Sequence, residues 1–393
     1  MTHLTHEPSP ASELTQEHEL FRNTVRRFVE SEINPHVEQW EAARSFPAHE
    51  LFPRMGELGL LGPSYPEEYG GAGVDYWYHV ILAEELGRAG CAGVPMAILV
   101  QTDIGVSGLA EFGSHELKKK FLQPAIEGRM VACLGVSEPD AGSDVAAIRT
   151  RARTEGDEYV IHGSKMWITN GTQADFVVLL ARTGEADGYR GMSLIVVPTD
   201  TPGFSVSRKL EKLGNHSSDT ALLSFDGVRV PRSYCVGEEG KGFKYQMKQF
   251  QKERLLGSSM AASGTRRAVG MTVDYCRRRR AFGRPLLENQ WIYFRLSELL
   301  TEIEMLHQFN HFCTRRLVAG QDVTREVSMA KLKSGRLARE VADTCLQFHG
   351  GMGYAEEYPM ARYFRDARLL SIGAGADEVM LQIIARYEGI FPE

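Results

Sequence analysis

Apolar residues recur at steps of three and four from Leu14 onward. Leu20, Phe21, Val25, Phe28, Val29 and Ile33 fall on one face of a helix, and Asn34-Pro35 ends it. The stretches from His79 to Leu86 and from His115 to Phe121 carry the same period, separated by loops such as EEYGGAG. Near Val131 the pattern changes to short apolar and β-branched runs: EYVIHG, DFVVLLAR, MSLIVVP and ALLSFDGVRVP. Asn170-Gly171, Asp187-Gly188 and Asp226-Gly227 lie among them as turn signals, which predicts an antiparallel β-region built of hairpins. Helical periodicity returns after Lys241. Leu296, Leu299, Leu300, Ile303 and Leu306 form one stripe; Leu332, Leu337, Val341 and Cys345 form another, stopped by Gly350-Gly351. The expected fold class is α+β in three domains: helical over 1–130, antiparallel β over 131–240, and a helical bundle over 241–393.

Composition narrows the function. A chain of 393 residues is long for one core, and 43% hydrophobic with 24% charged residues is ordinary for a globular protein. No apolar run approaches the roughly 18 residues that would span a bilayer. The N-terminal MTHLTHEPSPASELTQEHEL reads as neither secretory signal nor transit peptide. A net charge of −6 argues against nucleic acid as the main partner. Cys91, Cys133, Cys235, Cys276, Cys313 and Cys345 form no CxxC or Cys/His cluster, so no metal site is expected. Scattered cysteines fit a reducing, cytoplasmic setting, with a mature mitochondrial matrix form left open. No repeat is visible, and no GxGxxG follows a strand run, so a Rossmann-type site has no support.

Four segments carry candidate chemistry. LGVSEPDAGSD, Leu134 to Asp144, has the Ser, Pro and small residues of a tight loop whose backbone N–H groups can approach a ring or anion. GSKMWITNG places Trp167, Ile168 and Thr169 on a strand, with successive side chains on opposite faces. RRRRAFGRPLLENQ, Arg277 to Gln290, is a solvated helix face or an anion site. QFHGGMGY, Gln347 to Tyr354, is in its plainest reading a helix C-cap. Together with RDARLLSIGAGADEVM, Arg365 to Met380, these segments resemble the signatures of acyl-CoA dehydrogenases, and the resemblance covers roughly residues 13 to 390.

The resemblance implies FAD as cofactor and an acyl-CoA as substrate. It implies that Val136 and Ser137 lie against the flavin pyrimidine, that Trp167 and Thr169 cover and hydrogen-bond the isoalloxazine, and that Leu134 and Ile168 are further cofactor contacts. It further implies that Arg279, Phe282, Gln290, Gln347, Gly350 and Gly351 reach the FAD of a neighbouring subunit in a homotetramer. Ala376 and Glu378 are matched as cofactor contacts. Ser143, Arg254, Gly373 and Gly375 are matched as substrate contacts. Electrons are expected to leave to an electron-transfer flavoprotein.

One departure matters most. Where the family usually carries its catalytic Glu, this chain has Ala374. A backbone N–H at that position still serves the thioester oxygen, and such a donor is worth about 3 kcal/mol. The carboxylate is separable from it. In the long-chain and isovaleryl-CoA branch the base comes from an earlier helix, and FQKERLL places Glu253 there, beside Arg254. Its pKa is expected to rise when water is excluded, with Arg254 opposing the shift. Gly373-Ala374 replaces a bulkier pair, which suggests a branched or long acyl-CoA, such as the terpenoid ester citronellyl-CoA. The alternatives are an acyl-CoA oxidase using oxygen and a non-catalytic acyl-CoA or flavin binder.

Overall fold

The structure, a computed structural model, describes residues 14–185 and 188–392. Helix α1 (Gln16–Phe28) begins on a capping box: the Thr15 hydroxyl accepts the His18 N–H, and His18 Nδ1 accepts the Thr15 N–H. Val25, Phe28, Val29 and Ile33 are buried as the periodicity predicts, but Leu20 is 61% exposed and lies off the core face. The helix does not simply stop before Asn34-Pro35. It passes into a π-turn, Val29–Ile33, and then a 3₁₀ turn, Asn34–His36. Arg22 and Arg26 on α1 pair with Glu84 and Glu85 on α2 (Trp77–Leu86), which is buried along almost its whole length.

The segment Gly93–Phe112 corrects the reading that no run could span a bilayer. By length and composition it could, with a mean hydropathy of 1.3 over its most apolar window. That window is 89% buried inside the protein, and the segment is broken into Gly93–Leu99, a π-turn Val100–Ile104 and Ser107–Phe112. It is a core element whose apolar residues face neighbouring helices and sheet.

The middle region is an eight-stranded sheet: β1 (Ala132–Gly135), β2 (Arg151–Glu155), β3 (Glu158–Thr169), β4 (Phe176–Arg182), β5 (Met192–Pro198), β6 (Phe204–Lys209), β7 (Thr220–Pro231) and β8 (Cys235–Val236). The order is β6-β7-β3-β2-β4-β5-β8, with β1 beside β4. The sheet is mixed rather than purely antiparallel, because β1 and β2 both pair with β4 in parallel. Strands β4 and β5 are buried on both faces and read as continuous apolar runs. Asn170-Gly171 links strands that are not neighbours, so it is a crossover and no hairpin. Asp226-Gly227 lies inside β7 as a bulge opposite Ile161 and His162. Asp187 of the third turn signal lies outside the described residues.

Three long helices follow: α3 (Gly242–Arg278), α4 (Gln290–Val318) and α5 (Thr324–His349). Ser258 Oγ donates to the Ala330 carbonyl at 3.2 Å, and the Tyr275 hydroxyl donates to the His349 carbonyl at 3.1 Å. Helices α3 and α5 therefore run in the same direction. Helix α4 runs against them, with Ser258 on Asn310 and Arg266 on Glu304. Leu296, Leu299, Ile303 and Leu306 are buried in that bundle; Leu300 is only half-buried. Helix α5 ends at Gly350, whose φ of 57° and ψ of −138° suit a residue without Cβ. The chain closes with α6 (Pro359–Ala367) and α7 (Asp377–Tyr387).

Candidate active site

Glu253 lies on α3 one residue before Arg254, and Arg254 turns toward the turn that precedes α7. Arg254 Nε donates to the Ala374 carbonyl at 3.5 Å. Lys331 on α5 holds the same turn from the other side, donating to the carbonyls of Leu370 at 2.7 Å and Gly375 at 2.8 Å. Ala374 has a left-handed φ of 55°. Gly375 has a φ of 94°, a backbone conformation that residues with a side chain rarely adopt. Gly373 and Gly375 are half-buried, whereas Ala374 and Glu378 are exposed and Ala376 caps α7. The segment that bears Ala374 is thus fixed at several points.

Glu253 itself is half-buried, but its Oε2 atom is shut from solvent without a hydrogen-bond partner. Burial pushes its carboxyl up to about 7. The Arg254 charge opposes that rise, nearby Asp103 adds to it, and Lys331 opposes it. A carboxyl group poised near neutrality, unspent on any internal bond, is what proton abstraction needs.

A second carboxylate behaves in the opposite way. Glu138, in the loop after β1, accepts the backbone N–H groups of Arg149 at 2.6 Å and Thr150 at 2.9 Å. It also pairs at 2.9 Å with Lys165 on β3, which is fully buried. Burial alone would raise the Glu138 carboxyl, but the Lys165 charge and these bonds hold it below its ordinary range. Lys165 Nζ donates in addition to the Val136 carbonyl at 2.9 Å, and Met166 N–H donates to the Ser137 carbonyl at 2.9 Å. The 134–138 loop is therefore stapled to β3. Val136 is buried and Leu134 and Ser137 are half-buried, while Ser143 farther along is exposed.

Strand β3 does not alternate regularly across Trp167. A bulge between Lys165 and Ile168 gives Trp167 a φ of 68° and leaves its ring 59% exposed. Ile168 is buried and Thr169 half-buried. A large ring held out by strained backbone, next to the stapled loop, forms a flat apolar wall.

The remaining candidates lie at the other end of the bundle. Arg279 ends α3, Gln290 begins α4, and Gln347, Gly350 and Gly351 surround the end of α5; all are exposed, as is Phe282. The Tyr275–His349 bond joins the ends of α3 and α5, so these residues share one surface. From Glu253 to Arg279 is 26 residues, or about 39 Å along a helix. One copy of the chain brings Glu253, Arg254, Gly373 and Ala374 together and leaves the Arg279 set far away. Lys165 and Glu138 beside the 134–138 loop, and Lys331 and Asp103 near Glu253, are residues that the motifs did not single out. Lys165 and Glu138 stand inside the quoted motifs, and a Lys amid apolar strand residues was the available signal.

Comparison with known proteins agrees along the whole chain. Family profiles match for the acyl-CoA dehydrogenase N-terminal domain over residues 15–129, the middle domain over 133–228 and the C-terminal domain over 240–388. The long-chain specific acyl-CoA dehydrogenase of Sus scrofa mitochondria is 37% identical over 374 residues, 95% of this chain and 86% of that protein. A crystal structure described as an acyl-CoA dehydrogenase from Mycobacterium smegmatis superposes with a TM-score of 0.93 at 40% identity, covering 96% of this chain and 99% of the other. A glutaryl-CoA dehydrogenase from the same organism, solved with FADH2, superposes at 0.89 with 30% identity and 95% of each chain covered.

Proposed function

This chain belongs to the acyl-CoA dehydrogenase family and is an FAD-dependent oxidoreductase, and from that premise we propose that it converts a branched or long acyl-CoA to the trans-2-enoyl-CoA with Glu253 as base. The observation that carries the proposal is the buried, unpartnered Oε2 of Glu253. Glu253 takes the α-proton of the thioester onto that oxygen. The Ala374 backbone N–H faces the charge that collects on the thioester oxygen, a role that a change of side chain leaves intact. FAD, when bound, supplies the acceptor for the hydride leaving the β-carbon. Its fit rests on the exposed Trp167 ring and the backbone of Val136 and Ser137, which Lys165 keeps in place.

The small side chains of Gly373 and Ala374 leave space beside the reacting carbons, which supports a β-branched acyl group. The family is typically tetrameric. In this proposal Arg279, Gln290, Gln347, Gly350 and Gly351 serve the flavin of a neighbouring copy, since about 39 Å separates Arg279 from Glu253 along one helix. Electrons leave to an electron-transfer flavoprotein. A cytoplasmic setting belongs to the same proposal, supported by six free cysteines. Anaerobic addition of acyl-CoA esters tests it: the bound flavin should bleach, and faster with 3-methyl-branched esters than with straight ones. A clear preference for short unbranched chains would reject the substrate assignment.

A further inference from the structure

The α3 face that bears Glu253 is polar well before it reaches the reacting end. Gln246, Gln249 and Glu253 are spaced three and four apart, on one side of the helix. Gln246 is fully buried with neither amide atom paired, and Gln249 leaves its Oε1 unpaired. Gln249 Nε2 donates to the Ile104 carbonyl, which clamps this face to the π-turn Val100–Ile104. π-Turns insert an extra residue into a helix and are frequent at functional sites.

Asp103 is the charged residue of that turn. It is 1% exposed, and its Oδ2 accepts the Tyr76 hydroxyl at 2.9 Å. Its Oδ1 has no partner within hydrogen-bond distance, and the nearby Ser107 hydroxyl is itself unpaired. Lys252, beside Glu253, places its ammonium 5.6 Å from the Tyr76 ring centroid, and Glu253 feels the Asp103 charge. The π-turn carboxylate therefore lies close to the stretch of α3 that bears Glu253. A wall meant for a plain hydrocarbon would be apolar. A buried carboxylate oxygen left without a donor costs free energy that a ligand could offset.

We infer that the acyl group carries an uncharged hydrogen-bond donor, a hydroxyl beyond the β-carbon, which donates to Asp103 Oδ1. The sign of the surroundings selects this class. An acidic acyl group would meet both Asp103 and Glu253. A cationic one would meet Lys252. A hydroxyl meets an acceptor that already holds one donor from Tyr76 and has capacity for another. The inference rests on the dehydrogenase reading above and adds a requirement on the acyl chain that Gly373 and Ala374 do not impose.

The test compares hexanoyl-CoA with hexanoyl esters hydroxylated at successive carbons beyond the β-carbon. Two readouts are used on the FAD-loaded enzyme: anaerobic flavin bleaching, and calorimetric affinity for the matching 2-enoyl-CoA products. One hydroxylated ester should bind and bleach about ten- to hundredfold better than hexanoyl-CoA. Asp103→Leu should abolish that preference and improve the plain ester, and Asp103→Asn should reduce it. Equal or better handling of the plain ester by the unaltered enzyme overturns the inference even if both variants fail to fold. Bleaching neither by these esters nor by the 3-methyl-branched and long-chain esters would instead count against the dehydrogenase reading itself.

Discussion

Glu138 and Glu253 are both carboxylates set against buried basic residues, yet the structure gives them opposite chemistry. Glu138 receives two backbone N–H groups and a buried ammonium, so its charge is locked in place below the ordinary carboxylate range. Glu253 has a neighbouring Arg254, but that guanidinium reaches for the Ala374 carbonyl, and the Glu253 oxygen is left bare. Burial is common to the two; hydrogen bonding separates them. A satisfied carboxylate becomes a structural pin under the 134–138 loop. An unsatisfied one stays available to a proton.

The most forceful way to break the contrast is Glu253→Gln. The amide keeps the shape and removes the basic oxygen. Substrate-driven flavin bleaching should slow about a thousandfold or more, while the visible flavin spectrum of the purified protein is retained. Rapid bleaching by the variant would move the base elsewhere and leave Glu253 as a packing residue.

Lys165→Met attacks the other carboxylate. It leaves Glu138 as an uncompensated buried charge and cuts the staple to the Val136 carbonyl. Removing one partner of a buried pair costs about 3–5 kcal/mol, so thermal unfolding should begin much earlier, with loss of bound flavin. Arg254→Met beside Glu253 should cost less, since a carboxyl already raised to about 7 can take up a proton once the charge is gone. An unaltered melting temperature for Lys165→Met would mean that the 134–138 loop is held by its backbone alone.

Titration distinguishes the two groups without mutation. Glu253 must be ionised to accept a proton, so the bleaching rate should fall about tenfold per pH unit on the acid side of about 7. The two groups also push stability in opposite directions. The Glu253 carboxyl is raised from its ordinary 4.5, so the fold binds its proton more tightly than the unfolded chain does. Its contribution to stability is present at low pH and is lost as pH rises through about 7. Glu138 is depressed, so its contribution is present above the ordinary carboxylate range and is lost as pH falls. An acid limb that stayed in place in the Glu253→Gln background would assign the titration to another group.

Much of the architecture was legible in the sequence, but the contrast between Glu138 and Glu253 was not, for physical reasons. Periodicity located the helical ends and the central β-region, because burial of one face imposes a repeat that needs no tertiary information. The sheet's parallel pairings escaped, since β1 and β2 meet β4 across long separations and pairing partners leave no local mark. Asn170-Gly171 and Asp226-Gly227 look alike as dipeptides, yet one is a crossover and the other a bulge; left-handed backbone is all that the residue type reports. Motif matching found Glu253 and Ala374, but the paired state of a carboxylate depends on atoms from distant strands and turns. Lys331 and Asp103 therefore became visible only in three dimensions.

The finest adjustment concerns Arg254. Its charge is the foremost influence opposing the rise in the Glu253 carboxyl, ahead of Lys331. Burial in turn disfavours the guanidinium charge, so the pair is a compromise between two desolvated ions. Replacing Arg254 by Gln keeps a donor toward the Ala374 carbonyl and removes the charge. With that opposition gone, the acid limb of the bleaching rate should move upward by about one pH unit, the low end of what a neighbouring opposite charge supplies. At a fixed pH of 6 that is about a tenfold further loss of rate, recovered by raising the pH. A limb that moves down instead would show that Arg254 reaches Glu253 chiefly by positioning it, and the contrast with Glu138 would then rest on geometry rather than on charge.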